Sequence, residues 1–212
     1  MAIIIDDKSR VFTLHTKNAT YQMKADAQNV LLHTYYGEKT DNSDKSLLFY
    51  QTDRGFSGNP HEMGKIDRTY SMDSLLQEYS CFGTGDYRIT SLKVQNKDGS
   101  RAAELRYTGY RVQKGKYGIP DMPAVYAETL VIRLEDPYSG MEVELYYGIL
   151  EDMDVITRAV KITNLGTEDL ILEKAASMNL DWEYGDFEWI SLYGRHSMEM
   201  NFQREGIHHG IQ

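Results

Sequence analysis

Two stretches of this sequence combine residue types that can do chemistry. The first is Gly83-Thr84-Gly85-Asp86-Tyr87-Arg88, where two glycines flank a threonine and an acid and a base follow close behind. A glycine-rich turn cradles phosphate when it opens a helix whose N-terminal amides face the ligand. Here it runs into Ile89-Thr90-Ser91-Leu92-Lys93-Val94, which reads as a strand, and no Gly-Lys-Ser/Thr follows. The expected role is therefore a corner, whose glycines accept positive φ and whose Asp86 and Arg88 tie neighbouring strands. The second stretch is DRGFSGNPHEMGKIDR, which mixes Asp53, Arg54, Phe56, Asn59, His61 and Arg68. Planar polar groups with an aromatic face suit the hydroxyls and C–H surfaces of a sugar. Trp182, Tyr184, Phe187 and Trp189 form a second aromatic and acidic cluster. For both, packing inside a large sandwich is the competing account.

Other chemistries find less support. His208 and His209 are adjacent, so on a strand they point to opposite faces and make a poor metal pair. His15, His33, His61 and His196 are scattered singly, and no Cys/His spacing supports zinc. Cys81 is the one cysteine, which rules out an intrachain disulfide, and it has no evident histidine partner for nucleophilic catalysis. Glu151-Asp152-Met153-Asp154 supplies paired carboxylates, but pairs this close in sequence read as a turn rather than as two groups flanking a glycosidic bond. Neither a catalytic residue, a metal site nor a cofactor is expected.

The elements that must position these residues are strands. Leu130, Ile132 and Leu134 alternate with Thr129, Arg133 and Glu135, and Met141, Val143, Leu145 and Tyr147 alternate with Glu142 and Glu144. Asp136-Pro137-Tyr138-Ser139-Gly140 between them is a strong turn, so a hairpin is predicted. Further strands are expected at 155–163, 171–180, 187–193, 197–203, 89–95 and 103–112, the last two joined by the Asn96-Lys97-Asp98-Gly99 turn. Shorter ones are expected at 11–16, 20–24 and 30–36. Residues 37–80 show no clear alternation, and a loop of this length is usually functional; Ser71 to Leu76 could form one capped helical turn. Sixteen tyrosines against four prolines fit half-buried sheets. The fold class expected is all-β, a large antiparallel two-sheet sandwich in a single domain.

A net charge of −9 argues against a nucleic-acid duplex or an anionic membrane as partner and is compatible with a neutral ligand. No apolar run is long enough to span a bilayer, and the opening MAIIIDDKSR lacks the basic region and apolar core of a signal peptide, so a cytoplasmic protein is expected.

Five segments, taken in order, are familiar together: DRGFSGNP, SMDSLLQEYSCFGTGDYR, DGSRAAELRY, ETLVIRLEDPYSGMEVELYYGILEDMDVITR and NLDWEYGDFEWISLYGR. The chain resembles the N-terminal domain of bacterial α-galactosidases of glycoside hydrolase family 36, from about residue 3 onward. The paired signature is EY-x-x-x-GTGD-[FY]-R with LED-x-x-SG-x-E-x-x-L-x-Y. At Leu76 the chain departs from the family, which usually has proline there.

The resemblance implies a β-supersandwich preceding a (β/α)₈ barrel and a smaller C-terminal β domain. The whole enzyme would remove terminal α-1,6-linked galactose from melibiose or raffinose by a retaining double displacement, with both catalytic aspartates in the barrel. Such a barrel takes about 250 residues with alternating strands and amphipathic helices. This chain is shorter and has almost no helical periodicity, so it is expected to be an inert N-terminal fragment. Its partners would be the barrel of its own chain, further copies in a tetramer, and α-galactosides. The resemblance places the Asp53 to Arg68 loop at the pocket mouth of a neighbouring subunit. Asp53, Arg54 and Arg68 would contact the sugar beyond the galactose, and Phe56 would pack. The alternative is a free-standing carbohydrate-binding module or lectin with Trp182 and Trp189 as its stacking platform.

Overall fold

The computed structural model describes residues 2–49, 67–120, 127–182 and 185–208. These form twelve β-strands and two short 3₁₀ turns. The chain divides into two units, Met1–Asp181 and Trp182–Gln212.

The first unit is built on two four-stranded antiparallel meanders. One consists of β1 (Ile3–Asp6), β2 (Val11–His15), β3 (Ala19–Ala25) and β4 (Leu31–Glu38). After β5 (Leu92–Gln95), the other consists of β6 (Arg106–Lys114), β7 (Glu128–Asp136), β8 (Met141–Leu150) and β9 (Val155–Asn164). Their facing surfaces share one apolar core: Phe12, Leu14, Tyr21 and Met23 from the first, and Leu130, Ile132, Leu145 and Tyr147 from the second. The alternation along β7 and β8 is what supplies this face, and the hairpin between them forms with Asp136 opposite Met141. A smaller pair, β5 with β10 (Ile171–Ala175), adds Leu92 and Val94 to the same core.

The first meander is covered on its other face as well. Val30 and Leu32 pack with Tyr70, Met72 and Leu75 in a second cluster. Gln22 of β3 is fully buried, and Thr13 together with residues 34–45 satisfies its amide. Nε2 donates to Thr13 Oγ1 and to the Ser43 carbonyl, each at 3.0 Å, and Oε1 accepts from Thr34 Oγ1 at 3.2 Å and Lys45 N at 2.8 Å. The described parts of the stretch without alternation thus cover a sheet face. Within it, Leu75 N donates to Ser71 O at 3.2 Å and Ser74 N to the same carbonyl at 3.1 Å, making the single turn expected at Ser71 to Leu76.

The second unit contains one hairpin, β11 (Glu188–Tyr193) with β12 (Asn201–Gly206), in an unbroken register from Glu188 opposite Gly206 to Tyr193 opposite Asn201.

One further strand appears, and several expectations change, among them the strands expected at 89–95 and 103–112, which are Leu92–Gln95 and Arg106–Lys114. The run Ile3-Ile4-Ile5 is a strand that alternation could not reveal, since it is apolar throughout. The turn at Asn96 to Gly99 forms, with Gly99 N donating to Asn96 O at 2.9 Å, but it joins no hairpin: β5 pairs with β10 and β6 with β7. The strand expected at 171–180 stops at Ala175, whose partner Leu92 is the first residue of β5. The strand expected at 197–203 begins only at Asn201, because Ser197 and Met200 take left-handed φ of 63° and 66° in a turn.

Candidate functional site

The glycine-threonine-glycine corner has a definite structural job. Gly83 has φ +101°, and a Cβ there would lie 2.6 Å from Ala102 Cα, so only glycine fits this close approach. The turn delivers Asp86 into the interior at 4% exposure. Its Oδ1 accepts from Arg88 N at 3.0 Å and Arg88 Nε at 2.9 Å; Oδ2 accepts from Arg88 Nη2 at 2.8 Å and Gln77 Nε2 at 2.9 Å. The same Arg88 Nη2 donates to the carbonyls of Leu75 at 2.6 Å and Met72 at 3.2 Å. The acid and base of the motif therefore clamp the 72–77 loop.

Glu78, one residue beyond that loop, is the centre of a buried charged cluster. It is 0% exposed. Tyr21 Oη and Tyr147 Oη each donate to Oε1 at 2.7 Å, and Arg158 Nη2 stands 2.8 Å from the same oxygen. The Arg158 guanidinium lies over the Tyr147 ring, 4.4 Å from its centroid. His33 Nδ1 approaches Oε2 at 3.4 Å but has no aligned hydrogen bond. Burial pushes Glu78 toward protonation, and the Arg158 charge with the His33 and Tyr21 contacts outweighs it, holding the carboxyl below its usual range. Burial first, with the Glu78 charge in support, raises both tyrosines well above their ordinary value, so they remain donors.

Local backbone geometry assembles this cluster. A bulge in β4 leaves Thr34 unpaired between His33 opposite Met23 and Tyr35 opposite Gln22. It resets the parity, so His33 and Tyr36 both pack on Tyr21, at 4.8 and 5.6 Å between ring centroids. Arg158 shares the core-facing parity of β9 with Ile156, Val160 and Ile162. The sequence reading missed both Glu78 and Arg158. The available signal was an arginine sitting at an apolar period position.

Of the residues expected to touch sugar, one lies among the described residues. Asp53, Arg54 and Phe56 lie outside the described residues. Arg68 is exposed on a turn between Asp67 and Tyr70, and Tyr70 Oη donates to Asp26 Oδ2 at 2.6 Å. Trp182 and Phe187 are in ring contact at 4.8 Å and Trp189 is 52% exposed; Tyr184 is not among the described residues. Glu151 to Met153 form a 3₁₀ turn as expected of a turn, closed by Asp154 at φ 59°. Asp154 accepts from Thr16 Oγ1 and from Asn18 N at 3.0 Å, stapling one meander to the other. Burial pushes the Cys81 thiol up to about 12, which leaves it unreactive at neutral pH. His15 is held by Thr20 and Asn42, and His196 is an exposed side chain. Among the described residues, no three His, Cys, Asp or Glu side chains group as metal ligands.

A buried charge cluster, a clamped loop and a two-sheet sandwich describe a scaffold. The family model for the glycosyl hydrolase family 36 N-terminal domain matches residues 29–212. The chain belongs to this family. As a family 36 N-terminal domain it is 48% identical over 99% of its length to the bifunctional alpha-galactosidase/sucrose kinase AgaSK of Mediterraneibacter gnavus, where the match spans 23% of the relative. It is 40% identical over 99% of its length to alpha-galactosidase Mel36A of Lactobacillus acidophilus, spanning 29% of that protein. The solved galactosidase domain of AgaSK superposes with a TM-score of 0.93 at 47% identity, over 99% of this chain and 30% of that one. Alpha-galactosidase AgaB from Geobacillus stearothermophilus gives 0.90 at 37% identity, over 100% and 29%. The family 36 domain described here thus spans less than a third of the length of these relatives. Among its described residues no helix is long and apolar enough to cross a membrane.

Proposed function

We propose that this chain is the non-catalytic N-terminal part of an α-galactosidase that hydrolyses terminal α-1,6-galactosides such as melibiose and raffinose in the cytoplasm. The observation that carries this reading is its match over nearly its whole length to proteins named as alpha-galactosidases. In this reading the acids of the reaction belong to a barrel in the remainder of the protein. The sandwich supports that barrel and, in a tetramer, its Asp53 to Arg68 segment reaches the pocket rim of a neighbouring copy.

The test is Asp53→Ala with Arg68→Ala in the protein that carries both this chain and the barrel. A hydrogen bond to a charged group contributes about 1.5–3 kcal/mol, so losing either one raises KM for raffinose by roughly tenfold or more. Steady-state kinetics and light scattering give the answer. An unchanged KM together with an unchanged assembly mass removes the rim from the proposal.

A second reading, a free-standing carbohydrate-binding module, draws on the half-exposed rings of Trp182 and Trp189. It requires that Trp189→Ala abolish sugar binding by this chain, which the accessory reading does not.

A further inference from the structure

At one end of the sandwich three turns enclose a cleft of about 870 Å³, lined among others by Asn96, Lys97, Asp98, Ser100, Tyr138 and Glu168. The turns are those after β5, between β7 and β8, and after β9. None of these residues takes part in the corner, the Glu78 cluster or the Asp53 to Arg68 segment. We propose that this cleft is an ancillary binding site for a neutral oligosaccharide, with the Tyr138 ring as its stacking face.

The cleft is built rigidly. Gly140 and Gly166 touch: a Cβ on Gly140 would lie 2.9 Å from Gly166 Cα, and one on Gly166 would lie 2.3 Å from the Ser139 carbonyl oxygen. Leu165 N donates to Gly140 O at 3.0 Å across the same contact. The buried Asp136 carboxylate accepts from Tyr138 N at 3.1 Å and Ser139 Oγ at 2.7 Å, fixing the turn that carries the tyrosine. Yet the Tyr138 side chain is 83% exposed. A large ring held out on a pinned turn loses little freedom on binding and presents an apolar face beside polar walls.

The polar groups select the ligand class. Lys97 and Glu168 pair with each other across the cleft. Asp98 Oδ1 caps Ser100 N at 2.9 Å, and Asp98 adds negative charge, so an anion is disfavoured. Asn96 donates through Nδ2 to Ser100 Oγ at 2.9 Å and Ala102 O at 3.0 Å, which fixes the first turn from within. Ring, acceptors and hydroxyls without a net cation match a neutral polyol with C–H faces, and the volume lies within the range of ligand sites.

The choice of galactosides as ligand rests on the α-galactosidase reading, and the experiment separates the two. Calorimetric titration of this chain with raffinose is expected to give a dissociation constant in the millimolar range. Tyr138→Ala weakens it at least tenfold, Tyr138→Phe keeps it, and Trp189→Ala leaves it unchanged, all with unfolding transitions like that of the wild type. Absence of binding, binding that survives Tyr138→Ala, or loss in Tyr138→Phe or Trp189→Ala overturns the cleft. Hydrolysis of raffinose by the barrel-bearing protein reports on the α-galactosidase reading alone: hydrolysis without Tyr138-dependent binding sinks only the cleft. Tyr138-dependent binding without hydrolysis upholds the cleft and sinks the enzyme assignment.

Discussion

Arg158→Met lowers the stability of this chain by about 3–5 kcal/mol at neutral pH, because it leaves the fully buried Glu78 carboxylate without its cation. The loss shrinks on acidification. Glu78 has its folded pKa held below its unfolded value, so in the wild type it contributes stability that is present above the unfolded pKa and is lost as pH falls through the folded one. In the variant, burial without the guanidinium raises the Glu78 pKa, and folding at neutral pH must take up a proton. Near pH 4, where an unfolded glutamate is already about half protonated, that uptake costs little. Urea unfolding at both pH values decides it: an equal loss at the two, or a loss below about 1 kcal/mol at pH 7, would show that the pair does not hold the sheets together. Adding Glu78→Gln to the variant recovers part of the loss, since two neutral buried groups cost less than one unpaired charge.

The second large effect is at the corner. Asp86→Ala removes the acceptor of three Arg88 bonds and one Gln77 bond, leaving the buried Gln77 amide with only its bond to the Met72 carbonyl and the Arg88 guanidinium without its counter-charge at the corner. The expected cost is about 2–3 kcal/mol, which for a chain of this size lowers Tm by roughly 4–12 °C. Raffinose binding should follow the folded fraction and nothing else. If calorimetry instead found the Tm unchanged and sugar binding weakened, the corner would be a ligand site and its structural role would be wrong.

Much of the sandwich is legible from period-two alternation, because one face of β7 and β8 is uniformly apolar while polar residues such as Thr129, Arg133, Glu142 and Glu144 fall on the other, even where that face is itself covered. Legibility fails where that condition fails. Ile3 to Ile5 is apolar on both faces, so it shows no period. The partners of β5 and β10 lie far apart in sequence, so a plausible turn at Asn96 suggested the wrong neighbour for β5. The bulge at Thr34 reverses the parity of β4 within the strand, and no residue type announces it. The site divides in the same way. Asp86 and Arg88 were readable as ties because they adjoin the glycines that bring them together, although what they tie is a loop rather than strands. Glu78 and Arg158 come from a loop and a distant strand, and only the folded register sets them against each other.

That register also dictates an order of events during synthesis. The first meander is complete at Glu38, but the surface that covers Phe12, Leu14, Met23 and Leu31 is supplied piecemeal by the elements from β5 to β9, and the arginine that neutralises Glu78 arrives only with β9. Roughly 120 residues separate the end of β4 from the start of β9, and a ribosome adding about 5–20 residues per second takes on the order of ten seconds to supply them. During that interval the nascent chain carries an apolar sheet face that is only partly covered and, once Glu78 is made, an acid without its arginine. The Glu78 charge is met only once the strand bearing Arg158 has left the exit tunnel. The chain is thus committed to late, long-range assembly, which makes its opening meander the segment on which a nascent-chain chaperone would act.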